Sequence, residues 1–196
     1  MARPRTFDLD SFLDAAMAVF WARGFANTSM ADVYAATGLG PGSVYAVVKD
    51  KDDLFRRVFE RYAEMFYATM RGPLTGYEAL EAWLDQQIAF LAEDPERKGC
   101  LIANTIMERE AHSDQTRALA EARLAEVRAF FRGHIVSGQA NGSIDAGLDP
   151  DTAADALLGS IIGLMALARG RAPREMLERI GTAAKEGLRG RPAASS

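Results

Sequence analysis

Ser43, Tyr45 and Val47 put a hydroxyl, a phenol and an apolar side chain on one side of a short helical pattern, with Val44 and Val48 on the other. Such a set breaks no bonds; it hydrogen-bonds to and packs against a partner. Pro41 suits the first position of that helix, because the N–H it lacks would find no acceptor there anyway. The pattern is the second half of a pair. Residues 29–51 read as two short helices joined by a glycine-punctuated turn, the spacing a helix-turn-helix needs to present one helix to a DNA major groove.

The elements that position these residues are marked at their ends. Ser29 with Asp32 forms a capping box for the first helix of the pair. Val33 and Ala36 give it an apolar inner face, Gly38 supplies a left-handed stop, and Leu39 fills the angle that follows. An ordinary αα-hairpin in a helical core is the competing reading. Upstream, Phe12, Leu13, Ala16, Met17, Val19 and Phe20 form an apolar stripe at helical spacing, capped by Asp10 or Ser11 and ended by Gly24. Downstream, Asp50 with Asp53 caps a fourth helix that runs to the Gly72-Pro73 break. A fifth spans Thr75 or Gly76 to about Ala92, a sixth Gly99 to Ala111 and a seventh Ser113 to Ala140. The eighth opens at Asp149-Pro150 and the ninth at Pro173. No segment sustains strand alternation, and no internal repeat appears. The sequence therefore predicts an all-α protein of about nine helices, an N-terminal three-helix domain followed by a larger helical one.

Composition narrows the function classes. The 196 residues, 48% hydrophobic and 26% charged, describe a soluble globular chain long enough for a real core. The N-terminus MARPRTFDLD lacks the apolar core of a signal peptide, and the apolar run from Ala156 to Ala168 is short and glycine-broken for a membrane span. One cysteine excludes an internal disulfide and favours a reducing cytoplasm. Cys100, His112 and His134 are scattered, so no metal site is expected, and no nucleophile–base pair or phosphate loop points to an enzyme or a cofactor. The net charge is −4. Even in the first 60 residues Arg3, Arg5, Arg23, Lys49, Lys51, Arg56 and Arg57 are outnumbered by Asp8, Asp10, Asp14, Asp32, Asp50, Asp52, Asp53 and Glu60. Nucleic-acid binding must then rest on a few placed cations rather than on bulk charge.

Three features follow one another: a basic arm, a first helix ending in WARGFANTSM, and the stretch ADVYAATGLGPGSVYAVVKDKDDLF. Together, over about residues 7 to 60, they closely resemble the DNA-binding domain of TetR/AcrR-family transcriptional regulators. The resemblance implies a homodimer whose two recognition helices enter successive major grooves of a roughly palindromic operator in double-stranded DNA. It implies a DNA-binding domain over 1–50 and a ligand-binding and dimerisation domain over 51–190. Thr28 and Ser29 match positions that touch phosphate, Tyr45 an aromatic that bonds the backbone, and Lys51 a lysine that holds a phosphate. Pro41, Gly42, Ser43, Tyr45 and Val47 fall on the exposed face of the recognition helix, and Arg3 and Arg5 can follow the minor groove. Many relatives carry an Arg or Lys near Pro41 and a Phe at Val48. Without that cation, base reading leans on thymine methyl contacts and DNA shape.

The same resemblance assigns helices four to seven to a ligand pocket and helices eight and nine to a dimer interface. Met65, Phe66, Met70, Trp83, Phe90, Met107 and Phe130 are the adaptable apolar candidates for the pocket, with Asn104 and Glu108 as polar ends. An exposed position is the preferred reading of Glu108. Helix eight is nearly apolar all round, so Leu157, Leu158, Ile161, Ile162, Leu164 and Met165, joined by Met176, Leu177 and Ile180, are expected at the interface, with Gly159 and Gly163 allowing close approach. Cys100 follows Arg97 and Lys98 at a helix N-terminus, a setting that favours the thiolate and resembles the region where some electrophile-sensing relatives place a reactive cysteine. The leading function is a cytoplasmic homodimeric repressor released by a small-molecule inducer. The alternatives are a helical adaptor with a weakened DNA face, or a repressor that senses electrophiles or oxidants through Cys100.

Overall fold

A computed structural model describes residues 8–189, which form helices without strands. In chain order these are α1 (Leu9–Arg23), α2 (Met30–Thr37), α3 (Pro41–Tyr45), α4 (Lys51–Ala68), α5 (Gly76–Glu93), α6 (Leu101–Met107), α7 (Asp114–Asn141), α8 (Pro150–Arg169) and α9 (Arg174–Glu186). One 3-10 turn, Arg109–Ala111, follows α6. It occupies the stretch that the sequence assigned to the end of that helix. Arg3 and Arg5 lie outside the described residues.

Most boundaries follow from side chains that satisfy orphan backbone groups. The Ser29 hydroxyl accepts the Asp32 N–H while Asp32 accepts the Ser29 N–H, at 3.2 and 2.8 Å. The Asp50, Ser113 and Asp149 side chains each accept the N–H three residues on at the starts of α4, α7 and α8, without the reciprocal half of the box. The cap of α1 is Asp8, not Asp10 or Ser11, and the Ser11 hydroxyl donates to it. Gly24 ends α1 at φ 82° and Gly38 ends α2 at φ 68°, conformations that a Cβ would strain.

The core begins where α1 crosses α4. Phe20, Phe55 and Phe59 are fully buried, each worth about 1.5–3 kcal/mol relative to exposure. Arg61 of α4 reaches both Asp10 and Asp14 of α1, at 2.8 and 2.6 Å. The larger body packs α7 against α5 and α8, and α9 against α5 and α8. Helix α8 is 20 residues long and, by length and composition, apolar enough to cross a bilayer, more than the run from Ala156 to Ala168 suggested. Its inner face is instead spent on neighbouring helices, with Ala154, Leu157, Ile161, Leu164, Met165 and Ala168 buried.

Candidate nucleic-acid interface and effector groove

Helix α3 follows α2 across the Gly38 turn and opens on Pro41 without a side-chain cap. Val44 and Val48 are its buried anchors, whereas Pro41, Gly42, Ser43 and Tyr45 are exposed. Tyr45 neighbours Tyr34 of α2, and its phenol raises the Tyr34 pKa. Val47 departs from expectation: it lies two residues past the end of α3 and packs half-buried on the core. Ala36, expected on the inner face of α2, is exposed.

Thr28 also departs from expectation. It is 1% exposed, and its hydroxyl donates to the Gly24 carbonyl at 2.7 Å. A buried, satisfied hydroxyl holds the turn together and offers nothing to a phosphate. Ser29 remains exposed next to it. Lys51, at the first turn of α4, lays its ammonium 4.2 Å above the Phe25 ring. Partial burial pushes its pKa down, and the Glu108 carboxylate pulls it partly back. Arg23, Arg56 and Arg57 are engaged by Asp32, Asp52 and Asp53. Lys49, which the motif did not single out, is exposed beside α3 without an ion pair among the described residues.

The head is tied to the body by contacts that local patterns cannot reveal. Glu108, at the end of α6, accepts the Phe25 N–H at 2.9 Å in the α1–α2 turn, so it is not the exposed residue the sequence suggested. Just beyond the head, Asp52 at the start of α4 accepts the hydroxyls of Ser113, the cap of α7, and of Thr116 in its first turn, both at 2.9 Å. His112, 4% exposed, sits between the Phe25 and Phe55 rings with both ring nitrogens unpartnered. Burial pushes its pKa below the ordinary value, and Glu108 and Asp52 offset that only in part.

The pocket candidates divide between two cavities. Met65, Phe66 and Phe90 line a groove of about 480 Å³ between α4, α5 and the α5–α6 loop, together with Trp21, Tyr62 and Gln87. Met70, Trp83 and Phe130 line a smaller cavity of about 300 Å³ near the Gly72-Pro73 turn. Cys100, Asn104 and Met107 line neither. The Asn104 amide donates to the Lys98 carbonyl at 2.9 Å and is buried, while Met107 faces outward. Cys100 is 4% exposed, and burial pushes its thiol pKa up against weaker pulls from the Tyr62 hydroxyl and nearby N–H groups. The thiolate expected from Arg97, Lys98 and the helix end is therefore disfavoured, because desolvation outweighs them. No group of three or more His, Cys, Asp or Glu residues among those described could hold a metal.

The residues expected at a subunit interface also divide. Leu157, Ile161, Leu164 and Met165 of α8 are buried within this chain, since the side of α8 that carries them faces neighbouring helices, and Leu177 of α9 is buried as well. Leu158, Ile162 and Ile180 are half-buried and Met176 is exposed. Around Gly159 and Gly163 the face of α8 is open, with nothing near the position a Cβ would take.

Known proteins resemble the chain along almost its whole length. The family model described as "Bacterial regulatory proteins, tetR family" matches residues 12–58. A second, "Tetracyclin repressor-like, C-terminal domain", matches residues 76–184. The HTH-type transcriptional repressor ComR of Escherichia coli (strain K12) is 32% identical over 183 residues, covering 91% of this chain and 87% of that protein. The HTH-type transcriptional repressor DhaR of Mycobacterium sp. (strain GP1) is 28% identical over 171 residues, covering 87% of this chain and 86% of its own. Among solved structures, a cysteine mutant of the TetR family transcriptional regulator CifR, complexed with 26 bp double-strand operator DNA, superposes with a TM-score of 0.81 at 30% identity, covering 94% of this chain and 98% of that one.

Proposed function

Because the chain belongs to the TetR family of bacterial regulatory proteins, we propose that it acts in the cytoplasm as a homodimeric repressor that binds a roughly palindromic operator and is released by a small molecule. The observation that carries this reading is the exposed face of α3, with Pro41, Gly42, Ser43 and Tyr45 outward over the buried Val44. Ser29, Lys49 and Lys51 flank it and supply phosphate contacts, while the α3 face reads base edges and groove shape. Residues up to about 50 form the reading head, and 51–190 carry effector binding and dimerisation. Two copies meet on the open side of α8 through Leu158, Ile162, Gly159 and Gly163, with Met176 and Ile180 of α9 at the margin; the buried leucines behind them give that face its stiffness. Two heads held by one interface match a two-fold operator.

An inducer acts by preferring the conformation in which the two heads no longer match the operator spacing. The test is a mobility-shift titration on the DNA flanking the protein's own gene. Wild type is expected to give a discrete complex whose affinity falls steeply with salt. Tyr45→Phe and Lys51→Ala are expected to weaken it on every sequence bound, by about tenfold each, as lost phosphate contacts do. A folded protein that binds no flanking sequence, or variants that bind as wild type does, would overturn this docking.

A further inference from the structure

The groove between α4 and α5 is floored by a residue of the reading head. Trp21 belongs to α1, yet its indole stacks on Phe90 of α5 with centroids 6.2 Å apart and planes 17° from parallel. Its N–H donates to the Gly99 carbonyl at 3.0 Å, and Tyr62 meets it edge-on at 4.9 Å. Phe90 is nevertheless 46% exposed and Met65 49%, so two large apolar side chains border a cavity that the chain leaves open. Inside, polar groups are scarce. The Thr69 hydroxyl is committed, donating to the Phe66 carbonyl and accepting from the Trp83 indole. Lys98 is paired with Glu96 at 2.7 Å, and Asp94 accepts the Glu96 and Lys98 N–H groups. Gln86 and Glu93 stand exposed at the rim, and Gln87 is the buried polar residue of the lining that remains uncommitted. It is 94% buried by its 6% exposure, it lines the groove, and no described residue bonds its carboxamide.

The Gln87 amide makes no bond to a described residue and opens to the groove, where a ligand's polar edge can take the place of water. The aromatic walls favour a flat ring, and the absence of an uncommitted buried charge disfavours an ion. We propose that this groove binds a small, flat, uncharged aromatic molecule with an amide-like edge, its ring against Trp21 and Phe90 and its polar edge paired with Gln87. Such a ligand touches the reading head directly through Trp21, so occupancy is felt in α1 without relay through the body. This rests on the proposed reading of the chain as a ligand-released regulator, but the binding step is measured separately.

The probe is 2-quinolinone, whose lactam N–H and C=O match a carboxamide, with naphthalene as its apolar counterpart. Calorimetry on the full chain is expected to show saturable binding of 2-quinolinone. Gln87→Leu should weaken it about tenfold while leaving naphthalene binding equal or tighter. Phe90→Ala, a change at the exposed rim, should weaken both. With only two tryptophans in the chain, Trp83→Phe leaves Trp21 as the sole indole, and its emission should be quenched on binding. No binding up to the solubility limit, equal affinity in Gln87→Leu, or an unquenched Trp21 would each overturn the proposal. Mobility shifts without ligand keep the two readings apart. A protein that shifts operator DNA but ignores 2-quinolinone defeats this inference alone, and one that binds 2-quinolinone but no DNA defeats the repressor reading.

Discussion

One carboxylate oxygen joins the two halves of the molecule where α6 ends: Glu108 takes the Phe25 N–H, and Lys51 lays its ammonium over the ring of the same phenylalanine. Removing it leaves a half-buried N–H without its acceptor. Glu108→Ala should therefore lower unfolding stability in urea by about 1–3 kcal/mol, whereas Glu108→Gln, which retains an acceptor oxygen, should lose less. Equal losses would mean that charge, not the hydrogen bond, holds the turn. Cys100 gives a second residue-scale expectation. Its buried, high-pKa thiol should react with N-ethylmaleimide far more slowly in the folded protein than in denaturant, and rapid native labelling would restore the sensor reading. Both residues were misplaced by sequence reasoning for one reason. Glu108 finds its partner 83 positions away, and Cys100 is desolvated by helices that no local window contains.

At the scale of elements the sequence was far more legible, because caps and stops act within three or four residues. The Ser29–Asp32 box, the left-handed Gly38, Pro41 at the start of α3 and the Asp50 cap all appear where spacing places them. Thr28 is the instructive failure. A threonine beside a cap reads as a surface hydroxyl, but the Gly24 turn folds it inward onto a backbone carbonyl. The α2–α3 corner also separates two glycines physically. Gly38 sits at φ 68°, so Gly38→Ala should cost about 1 kcal/mol in thermal unfolding. Gly42 lies within α3 with open space around the position of a Cβ, so Gly42→Ala should raise stability by about 0.5–1 kcal/mol. Because that methyl group would stand on the proposed DNA face, operator affinity should fall in the same variant. Stability and affinity moving together would argue against that face.

For the molecule as a whole, the buried histidine makes the union of head and body sensitive to acid. His112 has a folded pKa below its ordinary 6.5, with Glu108, Asp52, Lys51 and Arg117 as its charged neighbours. The unfolded chain therefore takes up a proton that the folded chain refuses. Stability is complete above about 6.5 and declines as pH falls below it. His134 contributes in the same direction, again through burial. Urea midpoints measured across that range should drop on acidification, and His112→Phe should flatten the slope without abolishing it. A slope unchanged by the substitution would assign the effect elsewhere. The global arrangement, unlike the helices, was legible only through resemblance, since periodicity says which face is apolar but not which neighbour covers it. That is why five of the side chains assigned to a dimer interface proved to be the chain's own core.

The carbonyl of Trp21 accepts its hydrogen bond from Arg169, 148 residues later in the chain. At a synthesis rate of about 5–20 residues per second, the acceptor waits roughly 7–30 s on the ribosome before its donor has been made. During that interval the first helices exist without the body that locks them. The reading head is thus translated well ahead of α8, and its Trp21 contact closes only once Arg169 has been made.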